Sequence, residues 1–281
     1  MNIQRKKRAW GKLTMNHLVA LFAALIFTYP VIWILVASIK PDVEIYREPL
    51  RLFPSQIDTS VFQRIFETQP LATYLLNSLL YSLGAVVISL GFALFASYGL
   101  SRHEFRGKRP ILITILMVQM IPALVSIIPI YLLMQRIGLY DTRIGMVILY
   151  SALRIPWGVW ILVGFIDQIP KALDEAALVD GASKLRILAQ IIFPLALPGL
   201  ASAAIFTFVG TWNEFAIASI VLRSPQNLSM TVGSMAMIGG DPNDWRMISA
   251  TAAVNLLPVL AVFALFQRHI IAGLTRGAVK E

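Results

Sequence analysis

The sequence predicts an all-α integral membrane protein with six transmembrane helices. Three observations point there. Hydrophobic residues make up 57% of the 281 and charged ones only 14%, whereas soluble domains carry about a quarter charged. A mean hydropathy of +0.72 comes from apolar residues gathered in blocks long enough to span a bilayer, which a soluble core does not require. Most Lys and Arg lie between those blocks, the distribution that sets membrane topology. The net charge of +9 therefore describes a basic membrane protein and no nucleic-acid partner.

The first block, His17–Ile39, holds 23 residues and spans about 35 Å as a helix. It follows Arg5-Lys6-Lys7-Arg8, which resembles the basic start of a signal peptide. The stretch is too long for a signal core and continues into Ile39-Lys40-Pro41, so a retained helix is expected. Residues 1–16 are then a tail. Residues 40–73 are a loop outside the membrane, with Pro41, Pro49, Pro54, Pro70 and an amphipathic Val61–Phe66 stretch.

Five further blocks form a core over 74–272: Tyr74–Leu100, Ile111–Met134, Ile144–Ile166, Ile191–Leu222 and Ile248–Ile271. Residues 273–281 are a second tail. Between the last two blocks, Arg223–Met247 carries Pro225, Gly239-Gly240 and Asp241-Pro242, all turn chemistry. Pro30, Pro122, Pro129, Pro156, Pro194, Pro198 and Pro258 fall inside blocks. Backbone groups freed at such breaks must find neighbouring helices or a polar cavity. A bending, tightly packed bundle suits a transporter without being peculiar to one.

Orientation follows from charge. With the N-terminus inside, the inner segments carry 15 Lys and Arg, counting Arg268 with the C-terminal one, against 8 in the outer segments. Both termini are thus expected in the cytoplasm. The chain has no cysteine, which removes disulfides, thiolate metal sites and cysteine nucleophiles. His17, His103 and His269 are scattered one per region, without ligand spacing, and read as interfacial residues. Neither a metal nor a cofactor is expected on this chain.

The inner segment 170–190 carries the functional argument. Pro170 suits a first helical position, and Asp174 and Glu175 sit where the helix dipole favours anions. Gly181 falls where a left-handed helix stop belongs, and Ser183 is placed to cap a following helix. Ala176 and Ala177 would let another surface approach closely. Two short helices joined by a turn result. Spacing alone fits a docking element and an ordinary amphipathic connector equally.

Glu175-Ala176-Ala177, then Gly181, Ile191 and Pro194, resembles the EAA motif of ATP-binding-cassette (ABC) importer permeases, with Phe193 where the motif prefers leucine. More of the chain agrees. Tyr29-Pro30, Ser38-Ile39-Lys40-Pro41, Asn77-Ser78-Leu79, Ala96 through Arg102, Phe105-Arg106-Gly107, Ile121-Pro122, Trp212-Asn213-Glu214-Phe215 and Gly273 through Lys280 are similar to the maltose-type, MalG-like permeases. That resemblance implies the type I importer permease (MetI-like) fold in the plasma (inner) membrane of a prokaryote. It also implies four partners besides lipid: a second homologous permease, two ATPase subunits that bind ATP and Mg, and an extracytoplasmic solute-binding protein.

Carried over by position, 172–181 would be the coupling helix seated in an ATPase. Glu175, Ala176, Ala177, Asp180 and Gly181 would be its contact residues, with Gly277 and Lys280 a second contact from the tail. Met230–Gly240 matches the place where related permeases send a loop into the binding protein. Among polar residues in the spans, Arg154, Gln119, Asn213, Glu214 and Asn255 are candidates for the solute pathway, with Trp212 able to stack on a sugar face. Hydrogen bonding between helices or an interfacial location is the plainer reading of each of them.

The implied solute is a disaccharide or oligosaccharide, or a related neutral polyol or glucoside, because Arg154 is the single cation well inside a span. An ATP-independent transporter or channel is the alternative; such proteins show internal repeats or intramembrane carboxylates, and here Glu214 stands alone. No G-x-x-x-x-G-K-[ST] loop occurs, so ATP would be hydrolysed on another chain. No G-x-S-x-G or paired-carboxylate constellation suggests an enzyme.

Overall fold

The computed structural model describes residues 2–46, 51–238 and 243–278, and every regular element among them is helical. In chain order these are α1 (Asn2–Ser38), α2 (Asp42–Ile45), α3 (Ser60–Thr68), α4 (Leu71–Arg102), α5 (Lys108–Gln119), α6 (Ala123–Arg136), α7 (Arg143–Ile166), α8 (Ala172–Val179), α9 (Lys184–Ile187), α10 (Phe193–Trp212), α11 (Ala216–Val221), α12 (Met230–Ile238) and α13 (Trp245–Ala278). A π-helical turn, Leu188–Ile192, joins α9 to α10, and a 3-10 turn, Pro225–Asn227, precedes α12. The chain divides into two compact units, Met1–Gln69 with Met237–Val254 and Pro70–Ala236 with Asn255–Glu281.

Among the described residues, five helical stretches are long and apolar enough to cross a bilayer: His17–Ser38, Leu71–Arg102, Arg143–Ile166, Lys184–Trp212 and Trp245–Phe266. The third predicted block is not one straight helix. It is α5 and α6, bent by 98°, and counting that pair as one span gives six. The sequence at the break explains the bend. Pro122 has no N–H to donate and disfavours helical backbone at Ile121, so α5 closes at Met120 and α6 opens on an extended Pro122 (φ −60°, ψ 132°).

The fifth block, read from the sequence as Ile191–Leu222, has different bounds in the structure. It starts earlier, through α9 and the π turn, and stops at Trp212, leaving α11 as a separate short helix. The intervening Asn213-Glu214-Phe215 holds the break open because the Glu214 carboxylate accepts from Ile217 N at 2.8 Å and Ala218 N at 3.0 Å. A side-chain acceptor here satisfies amides that a continuous helix would have bonded to backbone carbonyls.

In the second unit α4 and α7 lie against each other, with α10 against both. Their contact is small-residue packing. A Cβ added at Gly158 would come within 3.0 Å of Ala93 Cβ, and one at Gly84 within 2.8 Å of Val147. Close backbone approach of this kind replaces the hydrophobic effect as the glue between helices in lipid. Along α4 the buried side includes Ser78, Ser82, Ala85, Ser89, Ala93, Ser97 and Ser101 beside Tyr74, Tyr81, Leu90 and Leu100, while Leu76, Leu80, Leu83, Val87 and Phe92 are exposed. Serines thus sit inside while large apolar side chains face outward, as lipid exposure allows.

In the first unit the expected loop 40–73 is more ordered than its prolines suggest. The amphipathic stretch becomes α3, with Val61 and Ile65 buried. Arg246, itself buried, pairs with Asp58 at 2.8 Å and Asp42 at 3.6 Å, and Arg64 pairs with Asp244 at 2.7 Å. Lys40 is buried, donates to the carbonyl of Arg51 and lies 4.9 Å from the Trp33 ring centre. Hydrogen bonds from the backbone and side chain of Ser60 and from Arg246 hold the Asp58 carboxyl down to about 2.

Candidate functional site

The predicted pair of short helices is present as α8 and α9. Helix α8 begins at Ala172, two residues beyond Pro170; the proline sits in the preceding turn, where Leu173 N and Asp174 N donate to the carbonyls of Pro170 and Lys171. Asp174 and Glu175 fall in its first turn. The C-terminus closes as a Schellman motif. Ala182 N donates to Ala177 O at 2.9 Å, Gly181 N donates to Leu178 O at 3.0 Å, and Gly181 has φ +79°. Ser183 Oγ then accepts from Arg186 N at 3.4 Å at the start of α9.

An arginine that the motif reading did not single out fixes the elbow. Arg102, at the end of α4, donates Nε to Asp174 Oδ2 at 2.6 Å, Nη1 to Ile166 O at 3.1 Å and Nη2 to Ile169 O at 3.0 Å. The guanidinium thereby neutralises the end of α7 and the start of α8 together. Beside it Ser101 Oγ donates to Asp167. Asp174 and Ala177 are the buried side of α8; Glu175, Ala176, Asp180 and Gly181 are exposed, and so are Leu173, Leu178 and Val179. Val179 is 88% exposed, an apolar side chain in a segment beyond the end of the spanning helix α7.

Three of the predicted polar residues meet around one cavity of about 410 Å³: Gln119 from the end of α5, Arg154 from α7 and Glu214 from the break after α10. Tyr150 OH donates to Glu214 Oε2 at 2.7 Å, and Arg154 Nε donates to Thr211 Oγ1 at 3.3 Å. Gly210 leaves room for the guanidinium, since a Cβ there would lie 3.0 Å from Cζ and both terminal nitrogens. The sequence reading passed over Trp157 and Ser126, which also line the cavity. Trp157 had a signal: it follows Pro156 and lies three residues after Arg154 on the same helix face.

Trp212 and Asn255 are placed elsewhere. Trp212 is 1% exposed, stacks on Phe208 with ring centres 5.6 Å apart, and donates Nε1 to Asn255 Oδ1 at 2.9 Å. They bond each other between helices. Asn213 is exposed and donates its amide to Val209 O at 3.0 Å. Gly277 lies in α13, and Lys280 is outside the described residues.

The segment 223–238 is fastened down. Asn77 donates to the carbonyls of Gln226 and Leu228, both at 2.9 Å, Tyr81 OH to Asn227 O at 2.6 Å, and Met230 N to Ser78 Oγ at 2.7 Å. Asp141 accepts from Arg223 N at 2.8 Å and Ser224 N at 3.1 Å; burial pushes its carboxyl up, but these bonds outweigh that and hold it below the usual range. Of the stretch expected as a flexible loop, 230–238 is helix and 239–240 is outside the described residues. Met230 is buried, and Gly233 lies against the Tyr74 ring.

Residues 89–276 match the family model of the binding-protein-dependent transport system inner membrane component. The chain belongs to that family. It is 33% identical to the diacetylchitobiose uptake system permease protein DasC of Streptomyces coelicolor, over 97% of each chain. It is 31% identical to the trehalose/maltose transport system permease protein MalG of Thermococcus litoralis, covering 93% of this chain and 94% of that one. Among solved structures, a chain of a bacterial ABC transporter involved in import of the acidic polysaccharide alginate superposes with a TM-score of 0.80 at 26% identity, covering 95% and 98% of the two chains. The ABC permease resemblance and the MetI-like fold read from the sequence both hold.

Proposed function

We propose that this chain is one of two homologous permease subunits of an ATP-driven importer that carries a neutral disaccharide, oligosaccharide or related polyol across the plasma membrane by alternating access. Both termini and the α8–α9 elbow lie in the cytoplasm. Two ATPase subunits, which hold ATP and Mg, sit against the elbows, and a solute-binding protein delivers the sugar from outside. Closure of the ATPase pair acts by binding one state of the permease better than the other, the only way a partner shifts such an equilibrium.

The observation that carries this reading is the face of α8. Leu173, Leu178 and Val179 are exposed beside Glu175, Ala176 and Asp180, on a helix held rigid at one end by Arg102 and at the other by the Gly181 turn. Exposed apolar side chains on a segment beyond the spanning helices suit a protein partner. The ATPase supplies the apolar groove, and Glu175 its ion-pair partner. The tail beyond Gly277, with Lys280, adds a second contact. Relatives named for diacetylchitobiose uptake and for trehalose/maltose transport support the carbohydrate class.

Affinity purification from the native membrane tests the assembly. Recovery of a second permease, an ATPase and a binding protein by mass spectrometry is the expected result, with sugar uptake dependent on ATP in proteoliposomes. A chain that purifies alone and moves solute without ATP would instead make it a secondary transporter.

A further inference from the structure

We propose that the cavity beside Arg154 is a subsite for an uncharged pyranoside, contributed by this subunit itself, in which Trp157 carries one face of the sugar ring. The inference rests on the carbohydrate-importer reading and deepens it. Arg154 lies midway along α7, a bilayer-crossing helix, so its charge stands near mid-membrane, where a cation persists only against a cavity or partner. Two broken helices meet there. Gln119 and Ile121 come from the α5–α6 break and Glu214 from the α10–α11 break. Non-helical backbone at membrane depth is tolerated where it lines a cavity, and discontinuous helices of this kind build solute sites near the midplane of transporters.

Charge decides the ligand class. The Glu214 carboxylate is already bonded by Tyr150 OH, Ile217 N and Ala218 N. It offers little to a cationic solute, yet it offsets Arg154 against an anionic one. Arg154 commits Nε to Thr211, and Gln119 Nε2 donates to Ile115 O at 3.2 Å, which leaves the arginine's terminal amino groups, the Gln119 carbonyl oxygen and Ser126 as donors and acceptors for hydroxyls. Trp157 is 40% exposed and braced edge-on by Phe206, with ring centres 6.4 Å apart. An apolar ring facing a few separated polar groups matches a pyranose, which has C–H faces and a hydroxyl rim. The volume of about 410 Å³ falls within the roughly 300–1,000 Å³ of small-molecule sites.

The test uses the intact transporter complex in proteoliposomes with its binding protein. Radiolabelled neutral mono- and disaccharides are compared with uronic and phosphorylated sugars, and the sugar taken up fastest becomes the probe. The complex is then trapped with ATP and vanadate and the retained probe is counted. A neutral probe is expected, with retention about tenfold lower in Trp157→Ala, largely recovered in Trp157→Phe, and unchanged in Trp160→Ala, outside the cavity on the same helix. Gly210→Ala adds one methyl against the flexible end of Arg154 and lowers retention as well; it reads the site should Trp157→Ala fail to assemble. Wild-type retention in Trp157→Ala or Gly210→Ala, an equal loss in Trp160→Ala, or preference for a charged sugar overturns the subsite while the importer stands. Uptake of no sugar by the wild-type complex overturns the carbohydrate reading and the subsite together.

Discussion

Arg102 and Asp174 face each other at 2.6 Å, with side chains only 5% and 11% exposed, and the same guanidinium takes the carbonyls of Ile166 and Ile169. One side chain thus joins the end of α4, the end of α7 and the first turn of α8. Helix α8 is therefore tied directly to the α4–α7 pair, and under the proposed function a push on α8 would reach the spanning helices through this side chain.

Removing one partner of a buried ion pair costs about 3–5 kcal/mol, because the other charge stays buried and unpaired. Arg102→Ala should accordingly lower the thermal midpoint of the detergent-purified complex and reduce the ATPase recovered with it. Arg102→Lys should rescue little, since an ammonium cannot serve an acid and two carbonyls in the planar fork of a guanidinium. Full ATPase recovery with Arg102→Ala would show that α8 keeps its position by packing alone.

At Gly181 the backbone has φ +79° and an added Cβ would meet nothing within 4 Å. Any penalty is then conformational, about 1–2 kcal/mol for an ordinary residue and least for Asn. Gly181→Asn should retain uptake, whereas Gly181→Val, β-branched, should lose assembly with the ATPase. Uptake and co-purification in both variants check this, and intact transport by Gly181→Val would remove the docking assignment.

Much of this was legible because the signals are local. Gly181 as a left-handed stop and Ser183 as a cap need only their neighbours, and apolar length alone finds α4 and α7. The breaks were harder. Pro122 marked a bend but gave no angle, and Trp212-Asn213-Glu214-Phe215 falls inside the apolar block Ile191–Leu222, where nothing in the hydropathy marks a break. What makes it a break is Glu214 bonding Ile217 and Ala218, a choice that a cavity permits and periodicity does not reveal. Likewise nothing in sequence distance links Arg102 to Asp174, 72 positions apart, or separates Trp212, which turns into the core, from Trp157, which faces the cavity.

The first unit gives a pH prediction. Asp58 is held at about 2, below its unfolded value of about 3.9. A depressed carboxyl contributes stability that is fully present above the unfolded value and is lost as pH falls through the folded one. Protease resistance of 51–69 in proteoliposomes should therefore be the same at pH 7 and pH 5 and decline only between about 4 and about 2. Asp58→Asn should weaken it already at pH 7, because Arg246 then loses its closer carboxylate. Loss of resistance by pH 5 in the wild type would assign the fastening to other groups.

Trp212 and Asn255 provide the last test, because their geometry separates a structural role from a solute role. The indole N–H is buried and bonds Asn255 Oδ1 at 2.9 Å and the Asn255 carbonyl at 3.2 Å. Asn255→Ala removes one acceptor and leaves the weaker one, so a loss of about 1–3 kcal/mol is the upper range for an orphaned buried donor. Trp212→Phe removes the donor and with it the need for an acceptor. The double variant should then be less destabilised than the two single losses added together, which is the signature of a direct pair. Thermal midpoints of the four complexes measure this coupling. Sugar retained by the trapped complex should stay at the wild-type level in all of them at temperatures where they remain folded. A selective drop in retention with unchanged midpoints would place Trp212 in the solute pathway after all.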